Sequence, residues 1–150
     1  MSLDEGVYWL KGANGSGKST LLKSLAGILH FEGDVLLNKL ISIKKHKRDY
    51  RRLVNFAEAE PIFPEFLTGK ELIDMFAEAK GGTNEQKAFY PQTIGLQPYL
   101  DQPLGTYSSS MLKKLSLILT FMGKPKLILL DELDILAILV LPHFWWLRWS

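Results

Sequence analysis

The chain has 150 residues and room for one domain with a true core. Its 18 Lys and Arg stand against 16 Asp and Glu, a net charge of +2, so overall charge makes no case for nucleic-acid binding. With no cysteine, disulfide frameworks and thiolate metal sites are excluded. The first six residues, Met1-Ser2-Leu3-Asp4-Glu5-Gly6, are acidic and offer no apolar signal core.

Val7 to Leu10 is a short β-prone run. It leads into Gly12-Ala13-Asn14-Gly15-Ser16-Gly17-Lys18-Ser19-Thr20, which fits the phosphate-binding pattern G-x-x-x-x-G-K-[ST]. The three glycines free the backbone to turn successive N–H groups onto one anion. Lys18 is placed to reach the β- and γ-phosphates, and the Ser19 hydroxyl to ligate Mg²⁺. Ser19 to Leu29 reads as a helix whose N-terminal dipole favours those phosphates. The competing reading is a glycine-rich turn with an incidental lysine; the strand before and the helix after weigh against it. The pattern points to a nucleoside triphosphate.

Glu32-Gly33-Asp34 reads as a turn and Asp34 to Leu37 as a strand. His30 follows the first helix. The run Lys44-Lys45-His46-Lys47-Arg48, with Arg51 and Arg52 close behind, reads as a solvated loop and helix start in preference to a nucleic-acid patch. Leu53 to Phe56 is a strand candidate, and Ala57 to Pro64 a proline-punctuated loop with carboxylates at Glu58 and Glu60, functional or merely solvated. Thr68 and Glu71 form a capping box, with Leu72, Met75, Phe76 and Ala79 expected on one helical face and Gly81-Gly82 as the stop. From Thr83 to Thr106, prolines break the pattern into short helices and loops. A helix follows from Ser109 to Met122, its apolar side Leu112, Leu115, Leu119 and Met122. Ser108, Ser109 and Ser110 cluster hydroxyls at its start, a second phosphate contact point or simply good capping chemistry. Lys126 to Glu132 closes the series: four apolar residues of a buried strand, then two carboxylates at its C-terminal end, where open α/β sheets bind ligands. Asp131 would hold Mg²⁺ through water, and Glu132 would act as general base on the attacking water.

In this order the motifs resemble the ATP-binding subunits of ABC transporters. The loop from Gly12 resembles the family's Walker A, Leu127 to Glu132 its Walker B with catalytic glutamate, and Tyr107 to Met111 stands where the family has L-S-G-G-Q. Only Ser108 matches that signature strictly; Ser109 and Ser110 replace glycines and Met111 replaces glutamine. Phe63-Pro64, Leu67 to Gly69 and Glu71-Leu72 resemble the stretch after the family's Q-loop, whose glutamine position falls on Ala59. The resemblance implies an α/β P-loop core over about 6–56 and 124–132, with a mostly parallel sheet, and a helical insertion over about 61–122. It implies ATP and Mg²⁺ as cofactors, ATP hydrolysis, a second ATP-binding subunit that completes the site with Ser108 to Ser110, and a separate transmembrane permease. The location implied is the cytoplasmic face of the membrane, held through that permease, with no nucleic-acid partner.

Eleven residues precede Gly12, so the family's adenine-stacking aromatic has no counterpart. Tyr8 and Trp9 are expected in the core. From Leu133 the family pattern stops, and His143 stands too near Glu132 to be its switch histidine. The segment 133–150 reads as the product of a truncation or frame shift. Its apolar residues from Ile135 have no evident sheet partner and are expected to form an exposed patch; the run is too short to span a bilayer. Two rival functions remain: a degenerate module that binds ATP without hydrolysing it, and an ABC-type ATPase acting on DNA or ribosomes. The second would want coiled-coil heptads or a second cassette, and the chain has neither.

Overall fold

The computed structural model describes residues 2–132 and 135–142. Its organising element is a four-stranded sheet made from β1 (Gly6–Trp9), β4 (Val54–Ala57), β5 (Leu127–Glu132) and β6 (Ile135–Val140), in the spatial order β1-β6-β5-β4. β4 and β5 pair in parallel, with Val54 opposite Leu127. β6 runs against both of its neighbours, with Gly6 opposite Val140 on one side and Leu127 opposite Val140 on the other. Three strands therefore share one direction and β6 opposes them. A two-residue hairpin, β2 (Leu36–Leu37) with β3 (Ile41–Ser42), stands apart from this sheet. The strand expected from Asp34 is accordingly shorter.

β6 corrects the reading of the segment after Glu132. The residues from Ile135 do have sheet partners, on both edges, and Ala137 and Ile138 are each 1% exposed. An uninterrupted apolar run with β-branched residues is what a strand buried on both faces requires. Residues 133–134 and 143–150, including His143, lie outside the described residues.

α1 (Lys18–Leu25) covers one face of the sheet, and Leu22, Tyr50, Val54, Leu127, Leu129 and Ile138 form the core beneath it. The helix is shorter than expected because Gly27, at φ +76°, turns the chain into the left-handed region. α2 (Lys47–Leu53) carries the basic run. Its lysines and arginines are exposed, as read from the sequence, but Tyr50 is fully buried and donates its hydroxyl to the Leu25 carbonyl at 2.6 Å.

The second core belongs to α3 (Gly69–Lys80), α4 (Asn84–Thr93) and α5 (Ser109–Phe121). Thr68 and Glu71 make the expected capping box, and Gly81 at φ +71° ends α3. Of the expected face, Leu72 is buried and Phe76 packs against the core, but Met75 is 55% exposed and Ala79 is at the surface; Ile73 and Ala77 complete the buried stripe instead. Ile73 recruits the stripe by one position, a rotation of about 100° per residue that hydrophobic spacing alone leaves ambiguous. α4 has a capping box of its own, Thr83 with Gln86, and tolerates Pro91 in its last turn.

Asn55 ties the two cores together. Its Nδ2 donates to the Thr120 and Met122 carbonyls at 2.7 and 3.0 Å, satisfying groups at the end of α5 that the helix leaves unpaired. Asn55 is 4% exposed. Asn55→Ala is expected to cost about 1–3 kcal/mol, read as a lower urea midpoint at unchanged slope. An unchanged midpoint would show that these bonds do not hold α5 to β4.

Candidate nucleotide-binding site

β1 delivers the chain to the sheet's edge, where the Leu10 N–H donates to the Leu136 carbonyl at 2.8 Å. The loop 12–17 then folds on itself. The Ser16 N–H donates to the Ala13 carbonyl at 3.1 Å, while Gly15 and Gly17 take φ values of +79° and +87°. A Cβ on Gly12 would sit 2.7 Å from the Ser16 hydroxyl oxygen, so a side chain there would turn that hydroxyl away from Lys18 Nζ. Asn14 and the other loop residues from Gly12 to Gly17 are exposed, leaving a concave backbone open to solvent.

Lys18 opens α1 and folds back over the loop. Its Nζ donates to the Gly12 and Ala13 carbonyls at 2.7 and 2.8 Å and to Ser16 Oγ at 3.2 Å. Gly17 caps the helix without a side-chain acceptor, so the first-turn N–H groups of Lys18, Ser19 and Thr20 are available to an anion. The cation, the helix dipole and the turned backbone converge on one place.

The second half of the site arrives on β5. Ser19 Oγ donates to Asp131 Oδ1 at 3.1 Å, joining residues 112 positions apart. A hydroxyl and a carboxylate are hard oxygen donors of the kind Mg²⁺ prefers, with its remaining positions left to phosphate oxygens and water. No cluster of three or more acidic or histidine residues among the described residues forms a self-sufficient metal cage. Glu132 ends β5, opposite Ile135 in the backbone register; its side chain is outside the described part of the structure.

Other expected site residues are placed elsewhere. Ser108 is the N-cap of α5, accepting from the Met111 N–H at 3.2 Å, with Ser109 and Ser110 in the first turn. Among the described residues no hydrogen bond joins these three serines to residues 12–20. Ala59 is half-buried; beside it Glu58 makes a 4.0 Å ion pair with Lys23 of α1 at partly exposed positions, where such a pair contributes little. Trp9 is 61% exposed and not a core residue, because β1 is an edge strand with helical cover on its Tyr8 side only. His46 is exposed and accepts the Ser42 N–H on Nδ1 at 3.0 Å. Sequence reasoning missed β6, which lies between the two strands that carry the motifs. The signal available was the run Ile135 to Val140 itself.

A glycine-turned loop, a lysine folded across it, and a serine–aspartate pair between helix and strand define a P-loop nucleotide-binding domain. The family described as ABC transporter matches residues 2–134 of this chain. The cytochrome c biogenesis ATP-binding export protein CcmA of Legionella pneumophila is 35% identical over 143 residues, covering 91% of this chain and 70% of that protein. ABC transporter A family member 4 of Dictyostelium discoideum is 34% identical over 133 residues, 84% of this chain and 8% of that much longer protein. A solved structure of an ATP binding subunit of an ABC transporter superposes with a TM-score of 0.73 at 26% identity. This chain spans 52% of that structure's length, and 81% of this chain is covered. The chain belongs to the ABC transporter family, as an ATP-binding domain. No helix among the described residues is long and apolar enough to cross a membrane.

Proposed function

We propose that this chain binds ATP with Mg²⁺ and hydrolyses it as the motor subunit of an ABC transporter, paired with a second ATP-binding subunit and serving a separate permease at the cytoplasmic face of the membrane. The observation that carries the reading is the Ser19–Asp131 contact, because it joins the phosphate loop to the acidic strand end. Ser19 and Asp131 would hold the Mg²⁺. When bound, the metal neutralises charge between the β- and γ-phosphates. Lys18 turns from its loop carbonyls onto the phosphates, and the backbone N–H groups of Gly15 and of residues 17–20 hold them in place, the Ser16 N–H being held by the Ala13 carbonyl. Glu132 accepts the proton of the attacking water. Ser108, Ser109 and Ser110 face the nucleotide of the partner subunit; their lack of hydrogen bonds to this chain's own loop supports that division of labour.

Lys18→Ala is the direct test. Losing a charged hydrogen-bond donor is expected to cost about 1.5–3 kcal/mol, a fall of about 10- to 150-fold in Mg-ATP affinity by calorimetric titration. Equal affinity for both proteins would sink the assignment. A second reading, binding with little hydrolysis, is supported by Ala59, whose methyl group can neither donate to nor accept from a γ-phosphate or its water. Phosphate release at saturating Mg-ATP separates the two.

A further inference from the structure

An open recess of about 210 Å³ lies at the other end of α1 from the phosphate loop. Eight helical residues, about 12 Å, separate the two places. The recess gathers His30, Lys44, Lys47 and Arg51 around Phe31 and Ile43, and no acidic side chain among the described residues lines it.

Among the described residues, Lys44, Lys47 and Arg51 form no ion pair within 4 Å. The ion pairs among the described residues are Lys23–Glu58 and Lys87–Asp74, which leave all four out. The nearby Asp34 carboxylate accepts from Ser42 Oγ at 2.6 Å and from the Val35 N–H at 2.9 Å and offsets part of the Lys44 charge, which leaves the charges of Lys47 and Arg51. Lys47 and Arg51 are one helical turn apart on α2, a spacing at which like charges repel. Behind them, burial first and the Arg51 charge second pull the Lys80 ammonium below the usual lysine range. Crowded cations beside an apolar wall are an unfavourable arrangement that a bound anion would relieve.

The chemistry of the wall selects the anion. Arg51 offers a planar fork that matches a phosphate edge, and Lys44 and Lys47 add point charges. A carboxylate leaves most of this charge unbalanced, whereas a phosphomonoester carries about −1.5 to −2 at neutral pH. Phe31 and Ile43, with Ile28 56% exposed beside them, would receive an apolar body attached to it.

We propose that the recess bounded by His30, Lys44, Lys47 and Arg51 is a second anion site, separate from the triphosphate loop, for a phosphomonoester-type group. The group could come free in solution or as a lipid headgroup. The test uses the full chain carrying Lys18→Ala, so that the first loop contributes less. One arm titrates inorganic phosphate by calorimetry. The other floats the protein with phosphatidylcholine vesicles, with and without phosphatidate. Both are repeated with Lys44→Gln/Lys47→Gln and with Lys44→Arg/Lys47→Arg added; both positions are exposed, so each variant is expected to keep its circular dichroism spectrum. The expected result is binding of at least one probe, weakened about tenfold or more by the glutamines and kept by the arginines. Binding in the phosphate arm identifies a free anion, and binding to phosphatidate vesicles alone identifies a headgroup. Failure of both probes to bind, or binding equal in the glutamine and parent proteins, overturns the proposal.

Discussion

Cutting the chain after Asp134 is expected to abolish cooperative folding: the truncated protein should show no sigmoidal thermal transition and should elute as aggregate. The cut removes β6, the strand between β1 and β5. Among the described residues β1 pairs with β6 alone, so the cut takes away every sheet partner it has there. β5 loses one edge, and the core loses the fully enclosed Ile138. A domain's whole margin is about 5–15 kcal/mol, and an inner strand with hydrogen bonds along both edges is a large part of it. Read from the sequence alone, the same cut should improve solubility by removing an exposed apolar patch. Ile138→Asp puts a charge at a 1%-exposed position and should act in the same direction; Ile138→Val should cost only about 0.5–1.5 kcal/mol. A monodisperse truncated protein that melts like the full chain would show that β6 is dispensable.

Glu132→Gln is expected to leave Mg-ATP affinity within about twofold while lowering phosphate release by about 10²–10⁴-fold, the range over which a positioned general base contributes. The amide keeps the size of the side chain and removes its basicity. In the proposed reading, binding would rest on Lys18, the loop backbone and the Ser19–Asp131 pair, all of which the substitution leaves in the sequence. Turnover should also rise with protein concentration, because Ser108 to Ser110 would serve a partner's nucleotide. Equal turnover in the variant and the parent would remove Glu132 from the chemistry. Turnover independent of concentration would remove the partner.

The half of the site on the phosphate loop was legible because its constraints are local. Glycines at positive φ, a lysine at the helix start and a serine after it are fixed by spacing within nine residues, and the structure keeps that order. Asp131 was legible for a different reason: four apolar residues followed by a carboxylate mark the end of a buried strand. The failures were long-range. Whether Ile135 to Val140 is a free tail or an inner strand depends on β1, whose sequence says nothing about its partner. Trp9 was misplaced for the same reason, since strand alternation defines two faces but not which of them another element covers. The face of α3 was only half legible: Leu72 and Phe76 do meet the core, but the adjacent apolar Ile73 is buried as well, and the stripe turns toward Ile73 and Ala77 and away from Met75 and Ala79.

The position of β6 also sets a timetable. On a ribosome, the residues of β1, the loop and α1 emerge early, yet β1 can be captured in the sheet only by pairing Gly6 with Val140 and Trp9 with Ala137. Contacts between such distant parts of a chain form slowly, because loop closure must be met before any pairing repays it. Until β6 has been synthesised, the nascent chain carries the motif behind a β1 that has no partner among the other described strands. Bound nucleotide should therefore stabilise the completed domain more than any early stage of its folding, and chaperone dependence during synthesis should respond to it little.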